Sequence, residues 1–272
     1  YKSIRGDMKM YKNNSISTTQ QFAGILPTFA KPNSSKLEKD KIKRYIKTVV
    51  DEIGTGPNAD AYWQGKAVHP LAITALMADQ IGETGMRDQL LKDLKKIMVD
   101  WFTYSGGDDR CYLIYNKDWG TIYYPESAYG ANAAICDHHF TYGYFLFGAA
   151  VLSCYDQDFY YQYKDMVELM LRDYADPEEP RNDDYMFCKF RAFDQYSGHS
   201  WAGGYADNDD GNNQESASES LFSWVGMYLW GEVSKQDKYI DAGAYGFTTE
   251  MEAVKQYWFD YDGDNWLDSF PF

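Results

Sequence analysis

The stretch KLEKDKIKRYIKTVVDEIGTGP, residues 36–57, gives the clearest indication of the fold. Its apolar residues recur at helical spacing, and the pattern ends at a Gly- and Pro-containing segment that breaks helices. The region at 111–132 mixes aromatic residues with Gly and Pro, which indicates short strands and loops. The chain is therefore predicted to be mainly α-helical, with further helices at 60–81, 86–104, 138–154, 159–174, 215–233 and 238–257.

The arrangement of these helices suggests hairpins with long connections. Residues 1–35 lack sustained periodicity, so we predict an extended lead-in there and one helical domain over residues 36–272. Two long polar connections, 173–185 and 197–213, separate the later helices. Long irregular connections in a compact helical domain more often build a site than fill space. A toroid of helical hairpins, an (α/α) barrel, fits this pattern better than an ordinary bundle does.

Composition and charge exclude several classes of partner. The formal net charge is −15, so the chain lacks the basic surface that nucleic acids or anionic membranes require. No apolar stretch approaches the ~20 residues that cross a bilayer. Aromatic residues make up 18% of the chain. Although most single aromatics in a protein serve the core, Tyr and Trp also stack well on sugar rings, so a neutral ligand fits this composition.

A metal site is disfavoured by the spacing of its possible ligands. The four cysteines show no C-x-x-C pattern, and four in a chain of 272 residues do not make a disulfide scaffold. Adjacent histidines such as His138 and His139 point in different directions on a helix, so they do not both reach one zinc ion with His199. The Asp-rich segments lack the glycine position of a calcium loop. We therefore predict no metal.

Three carboxylates stand out at predicted helix starts. In NNQESASESLFSW, residues 212–224, Glu215 and Glu219 are four residues apart. One interpretation is a cap at Asn212 or Asn213 with acids in the first turn; the other is a carboxylate pair in a substrate cleft. Asp137 also has two interpretations, an N-cap or an acid. Glycoside hydrolysis requires two carboxyl groups, but spacing alone leaves both interpretations open.

Two segments rich in His and aromatic residues strengthen the second interpretation. The runs ICDHHFTYGYF (135–145) and RAFDQYSGHSWAGG (191–204) precede or begin predicted helices. Together with QESASESLFSWVGMYLWG, they resemble glycoside hydrolase family 81, the endo-β-1,3-glucanases also called laminarinases. Shorter pieces agree in the same order along the chain, including YKSIRGDMK, GILP, YWQGKAV and DWGTIYYP.

The resemblance implies an (α/α)6-barrel-like catalytic domain that hydrolyses β-1,3-glucan with inversion and without a cofactor. Asp137 then matches the general acid, Glu215 the general base, and Glu219 a second glutamate that assists the water or the base. The chain departs from the family pattern at Thr141, where His is usual, and at Cys136, where Asn is usual. The resemblance also implies a set of substrate-binding residues: His139, Tyr142, Tyr144, Asp194, His199 and Trp201.

The same resemblance carries expectations about the rest of the protein. Family members have an N-terminal β-sandwich and a later helical segment that this sequence does not include, so we expect the barrel to be incomplete at its C-terminus. We expect a monomer that acts on a β-1,3-glucan outside the cell, secreted or associated with the cell wall. The alternative is a fragment that binds β-glucan without hydrolysing it.

Overall fold

The computed structural model of the chain describes residues 1–3, 6–31, 33, 35–178, 186–203, 209 and 211–266. Within these residues there are eight α-helices: α1 (Lys36–Glu52), α2 (Ala61–Gln80), α3 (Thr84–Trp101), α4 (Ala131–Ala134), α5 (His138–Tyr155), α6 (Gln157–Ala175), α7 (Ala217–Ser234) and α8 (Asp237–Tyr257). Short antiparallel pairs join β1 (Lys2–Ser3) to β2 (Gly6–Asp7), β3 (Ile114–Asn116) to β4 (Thr121–Tyr123), and β5 (Phe193–Asp194) to β6 (His199–Ser200). The predicted mainly α-helical class is confirmed.

The helices form two layers. In the inner layer, α5 lies between α2 and α7 and contacts both; outside it, α3 packs on α2, α6 on α5, and α8 on α7. Every residue of α5 from His138 to Ser153 is buried, whereas the amphipathic helices α1, α3, α6 and α8 each bury one face. A helix that is apolar around its whole circumference has to lie inside a protein, so the composition of α5 explains its position.

Glycines let the inner helices approach closely. A Cβ atom on Gly143 would lie 2.9 Å from the Cα of Ser223, and one on Gly226 would lie 3.0 Å from the Cβ of Leu146. The residue numbers of both helices increase from the first contact to the second, so α5 and α7 run parallel. Gly65, near the start of α2, meets the first turns of α5 in the same way. The N-terminal ends of α2, α5 and α7 therefore lie at the same end of the molecule.

The predicted helix boundaries hold, with one informative exception. All seven predicted helices form, and their ends lie within three residues of the predicted ones. Helix α7, however, begins at Ala217 with Ser216 at its N-cap position. The interpretation in which Asn212 or Asn213 caps this helix is wrong, because Ser216 holds the N-cap position and the carbonyl of Asn213 accepts a hydrogen bond from the Ala202 amide. Glu215 consequently precedes the helix.

The hairpins form an open arc within the described part of the chain. Three inner–outer hairpins are present there, α2–α3, α5–α6 and α7–α8, preceded by α1, and these do not close into a ring. The layered helical hairpins are as predicted, and the closed toroid is not formed by these residues. Of the two long connections, residues 179–185, 204–208 and 210 lie outside the described residues. No described helix has the length and apolar character needed to span a membrane.

Candidate active site

A pocket opens at the end of the molecule where α2, α5 and α7 begin. Its empty volume, counted with the open solvent at its mouth, is about 590 Å³. Asp137, Glu215 and Glu219 all line it. Much of the remaining lining is aromatic and comes from α2, the β4–α5 connection and α5: Tyr62, Tyr124, Tyr129 and Phe140. Flat apolar faces around three carboxyl groups suit a neutral polyhydroxy ligand.

Asp137 immediately precedes α5 and has a left-handed backbone, with φ 60° and ψ 9°. Asp tolerates this conformation better than most residues, at a cost of about 1–3 kcal/mol. Its N–H donates to the carbonyl of Ala202 at 2.9 Å, and its carbonyl accepts the N–H of Thr141 at 3.0 Å. In the described structure its carboxyl group makes no capping hydrogen bond to α5. The N-cap interpretation is therefore wrong for this side chain, which faces the pocket instead.

The surroundings of Asp137 favour its protonated form. Burial raises the pKa of Asp137 to about 6, and the negative charges of Glu215 and Glu219 add to the rise. The thiol of Cys136, 3.4 Å from Oδ2, opposes the rise as a hydrogen-bond donor. Burial and the neighbouring Asp137 raise the pKa of Cys136 itself to about 12, so the thiol keeps its proton. A carboxyl group with a pKa near 6 is suited to act as a general acid.

The surroundings of Glu219 shift its pKa in the opposite direction. It lies in the first turn of α7, where the hydroxyl of Tyr144 donates to Oε1 at 2.5 Å and Lys66 Nζ lies 3.4 Å from the same oxygen. Burial acts to raise the pKa of Glu219, but hydrogen bonds from Tyr144 and Ser216 and the charge of Lys66 outweigh it and lower the pKa. One pocket thus holds a carboxyl group whose pKa is raised and, near it, a carboxyl group whose pKa is lowered.

Glu215 lies on the non-helical segment before Ser216, and its side chain is exposed. The side-chain amide nitrogen of Asn213 lies 3.4 Å from its Oε2. Glu215 and Glu219 therefore do not occupy successive turns of one helix. The carboxyl group with the raised pKa is Asp137, on a different helical hairpin. An exposed carboxylate on the pocket wall has access to water, as a general base requires.

A buried charge cluster supports the turn that carries Asp137. His138 Nδ1 lies 2.6 Å from Asp173 Oδ2, and Arg191 Nη2 lies 2.8 Å from the same oxygen. Arg191 Nη1 also donates to the carbonyl of Ile135 at 3.1 Å. Although burial opposes the charge, Arg191 and His138 lower the pKa of Asp173 to about 2. The cluster ties α6 to Ile135, two residues before the acid, and to His138, directly after it.

Three residues predicted to bind substrate lie in the core instead. The exposed fraction is 1% for His139, 0% for Tyr142 and 3% for His199. His139 Nε2 lies 3.2 Å from the hydroxyl of Ser220, and the hydroxyl of Tyr142 donates to the carbonyl of Ile122 at 2.9 Å. These three side chains are buried in the structure and form hydrogen bonds or ring contacts within the protein. Their contact with a substrate stays a prediction.

The other predicted binding residues have separate outcomes. Tyr144 is nearly buried, and its hydroxyl belongs to the Glu219 cluster. Asp194 is occupied by the β5–β6 hairpin, where Oδ2 accepts hydrogen bonds from Ser197 Oγ at 2.7 Å and Trp201 Nε1 at 3.1 Å. Burial opposes them, but these bonds lower the pKa of Asp194 to about 2, and its contact with a ligand stays a prediction. Trp201 is half-buried, and its contact with a ligand stays a prediction.

The contribution of α2 to the site was not predicted from the sequence. Tyr62 lines the pocket, and Lys66 Nζ lies 5.4 Å from the centre of its ring. A second ring, that of Tyr144, lies 5.3 Å from the same nitrogen. Residues four apart share one face of a helix. The spacing of an aromatic and a basic residue at the start of an apolar helix was therefore the available signal.

These features define a class of protein. Two carboxyl groups whose pKa values are shifted apart, in an aromatic-lined pocket at one end of layered helical hairpins, are typical of a glycoside hydrolase. Among the described residues, no group of three His, Cys, Asp or Glu side chains is arranged to hold a metal ion. Residues 33–269 match the model of the glycosyl hydrolase family 81 C-terminal domain, and the chain belongs to this family.

Similar proteins agree with this assignment. A glucan endo-1,3-beta-D-glucosidase of Acetivibrio thermocellus is 37% identical over 262 residues, which are 96% of this chain and 33% of that protein. One of Thermobifida fusca is 35% identical, over 97% of this chain and 35% of the relative. A solved family 81 glycoside hydrolase from Clostridium thermocellum superposes with a TM-score of 0.84 at 35% identity, covering 92% of this chain and 34% of that one. The chain thus spans about a third of the length of these proteins.

Proposed function

We propose that this chain carries the catalytic centre of an endo-acting β-1,3-glucanase that hydrolyses its substrate with inversion. The observation that carries the proposal is the contrast between the environments of three carboxyl groups in one pocket. The pKa of Asp137 is raised to about 6, while Glu219 is stabilised as a carboxylate and Glu215 is exposed to water. The raised pKa of Asp137 indicates the acid, while the exposed Glu215 and the stabilised Glu219 are the candidates for the base and for its assistant. The names of the similar proteins supply the β-1,3-glucan linkage.

In the proposed reaction, Asp137 donates its proton to the glycosidic oxygen as the bond to the anomeric carbon breaks. Glu215 takes a proton from a water molecule that attacks the anomeric carbon from the opposite face. Glu219, held by Tyr144 and Lys66, assists that water or the base. Inversion requires room for the water, so the Asp137 and Glu215 carboxyl groups should lie roughly 6.5–9.5 Å apart in the substrate complex.

The proposed substrate also bears on where the protein works. A β-1,3-glucan is a neutral polymer, which agrees with the net charge of −15 and the aromatic lining of the pocket. A similar protein of Schizosaccharomyces pombe is named a primary septum glucan endo-1,3-beta-D-glucosidase. We accordingly propose action outside the cell, by a monomer that is secreted or associated with the cell wall. Size-exclusion chromatography with light scattering tests the monomer, and assay of secreted and cell-wall fractions tests the location.

The test of activity is hydrolysis of a linear β-1,3-glucan by the purified chain. We expect new reducing ends from this glucan and none from a β-1,4-glucan. Proton NMR at early times should show the α-anomer, because inversion of a β-linkage forms it first. Release of the β-anomer would contradict the inverting mechanism. A folded wild-type chain that binds the glucan but releases no product would favour the binding-only alternative.

A pair of variants assigns the base. Glu215→Gln should lower kcat by roughly 10²- to 10⁴-fold, because it removes general-base catalysis. Its binding of an oligosaccharide should change little, since the amide keeps the size of the side chain. Glu232→Gln is the matched control, because Glu232 is an exposed residue near the other end of α7. Full activity in Glu215→Gln would show that another group is the base.

A further inference from the structure

Glu250 is a buried carboxylate on α8 that has no part in the proposed reaction. Its exposed fraction is 0%. Oε1 accepts hydrogen bonds from the Ser200 amide at 2.9 Å and from Gln214 Nε2 at 3.3 Å. Oε2 accepts from Ser200 Oγ at 2.8 Å and from Trp224 Nε1 at 2.7 Å. Burying a carboxylate costs several kcal/mol, so four donors directed at one side chain indicate a specific role.

One of these donors is joined directly to the proposed base. Gln214 immediately precedes Glu215 in the chain. Its Nε2 donates to Ser220 Oγ, in the first turn of α7, at 2.8 Å as well as to Glu250. A single amide group therefore ties the residue before Glu215 to both α7 and α8. If this amide lost its partner on α8, the exposed segment that carries Glu215 would lose a constraint.

Another donor leads to the proposed acid. Two residues after Ser200, Ala202 accepts the N–H of Asp137 at 2.9 Å and donates its own N–H to the carbonyl of Asn213 at 2.8 Å. Ala202 thus bridges the segment of the acid and the segment of the base through backbone hydrogen bonds. Because Glu250 binds both the amide and the hydroxyl of Ser200, it determines where this bridge lies.

We propose that Glu250 is a positioning residue for hydrolysis, holding Asp137 and Glu215 at their working separation through Ser200 and Gln214. This inference rests on the proposed function. Inverting hydrolysis depends on the separation of the two carboxyl groups, because one water molecule has to fit between the base and the anomeric carbon. A misplacement of about 1 Å can cost roughly 100-fold in rate. Glu250 acts from behind the pocket wall and does not touch the substrate.

Glu168 provides a matched control for a purely structural effect. This carboxylate of α6 accepts hydrogen bonds from Gln236 Nε2 at 2.6 Å and from the hydroxyl of Tyr239 at 3.2 Å, so it also joins an outer helix to α8. Gln236 follows the C-terminal end of α7, which at 1.5 Å per residue lies about 25 Å from the pocket. A change at Glu168 therefore perturbs packing without perturbing the segments of the acid and the base.

The first experiment compares Glu250→Gln with Glu168→Gln on a linear β-1,3-gluco-oligosaccharide, well below the unfolding temperature of either variant. In Glu250→Gln an amide nitrogen replaces one carboxylate oxygen. This nitrogen is itself a donor, so it faces an N–H or O–H group of Ser200, Gln214 or Trp224 without accepting its hydrogen bond. We expect kcat to fall roughly 10- to 100-fold with KM within about twofold of the wild-type value. Both variants should unfold at lower temperature, and Glu168→Gln should keep the wild-type kcat. Unchanged kcat in Glu250→Gln, or an equal loss in Glu168→Gln, would overturn the proposal.

A double-mutant cycle tests the link to the base. Gln214→Ala removes the amide that joins Glu250 to the Glu215 segment, so the double variant should lose little more activity than the more impaired single variant. If the losses of the two single variants multiply in the double variant, Glu250 and Gln214 do not act through the same path on Glu215. An inactive wild-type chain would count against the proposed function instead. In that case the separation of the two carboxyl groups is followed through the ¹³C titration of Asp137. Its pKa should fall in Glu250→Gln, because the charge of Glu215 moves away from it. An unchanged titration would overturn the inference.

Discussion

The residue that concentrates most of the chemistry is Asp137, and its backbone explains why. A residue at an N-cap position ordinarily uses its side chain to cap the helix. The left-handed backbone of Asp137 and its hydrogen bond to Ala202 turn the carboxyl group away from that role and into the pocket. Burial there favours the neutral acid. The proton donor therefore lowers the stability of the protein, a trade-off that is common at active sites.

This trade-off predicts that Asp137→Asn stabilises the protein at neutral pH. The folded-state pKa of about 6 lies above the ordinary value of 3.8, so the group's contribution to folding is complete below about pH 4 and is lost as the pH rises through 6. The full effect is at most about 3 kcal/mol, and we expect about 1–2 kcal/mol after solvent screening of this half-buried group. Urea unfolding at pH 4 and pH 7.5 measures it. Asp118→Asn, at an exposed loop position, is the control; a gain that is equal at both pH values would contradict the explanation.

A second prediction at this scale concerns the carboxylate held by Tyr144. Tyr144→Phe removes the 2.5 Å hydrogen bond to Glu219, so the pKa of Glu219 should rise. If Glu219 works as a carboxylate, the acid limb of the kcat/KM profile should move to higher pH, while the alkaline limb, set by Asp137, changes less. The measurement is kcat/KM against pH for both proteins. Tyr161→Phe, an exposed tyrosine on α6, controls for loss of a hydroxyl; an unmoved acid limb would remove Glu219 from the titrating groups.

At the scale of elements, the start of α7 shows how tertiary contacts override a local pattern. The run NNQESASES carries caps and acids at helical spacing, which predicts a helix from residue 215. In the structure, Asn213 and Gln214 form hydrogen bonds to Ala202 and Glu250, so the helix starts two residues later. These partners are distant in sequence. Because the helix starts late, Glu215 lies on the pocket rim. In a helix it would lie one turn from Glu219.

The parallel contact of α5 and α7 gives a prediction for element packing. Gly226→Ala would place a Cβ 3.0 Å from the carbonyl oxygen of Gly143 and 3.0 Å from the Cβ of Leu146, and backbone atoms cannot easily move away. We expect a loss of about 1–3 kcal/mol in the free energy of unfolding. Gly85→Ala in α3 is the control, because its Cβ would meet no atom within 4 Å. That variant should be neutral or gain up to about 1 kcal/mol. Equal effects in urea unfolding would contradict the close approach.

At the scale of the whole molecule, Asp173 joins parts that are far apart in sequence. Its carboxylate accepts hydrogen bonds from Thr121 and Ile122 of β4, both at 2.7 Å, and pairs with His138 and Arg191. The outer helix α6 is thereby connected to a strand, to the start of α5 and to the segment before β5. The carboxylate of Asp173 is the main partner of Arg191, and it is fully buried. Removal of its charge therefore leaves Arg191 without that partner.

Asp173→Asn should therefore destabilise the protein by about 3–5 kcal/mol, the range for breaking a buried ion pair. The folded-state pKa is lowered to about 2, so this contribution to stability is present above about pH 4 and is lost as the pH falls through 2. The difference between wild type and variant should shrink over that interval. Thermal unfolding from pH 2 to 7 measures it. Asp165→Asn, on the exposed face of the same helix, should show no such pH-dependent difference.

Several features of the molecule could be predicted from the sequence because they depend on neighbouring residues. Helix positions follow from apolar spacing, and α1 begins where Ser35 and Glu38 cap each other, with Ser35 N donating to Glu38 at 2.7 Å. The three carboxyl groups were found from motifs whose order along the chain resembles the family, and they line one pocket. These signals are local, and they survive folding because backbone geometry and helix caps act over one or two turns.

Sequence alone therefore determined the helical class, the helix positions and the candidates for acid and base. Only the tertiary structure decided which polar side chains face the pocket. His139, Tyr142 and His199 are buried because packed layers leave them no exposed face, whereas Tyr62 and Lys66 reach the site through the parallel packing of α2 on α5. It also revealed Asp173 and Glu250 behind the pocket wall. The physical reason is that burial and long-range hydrogen bonds depend on partners tens of residues away, which no local pattern identifies.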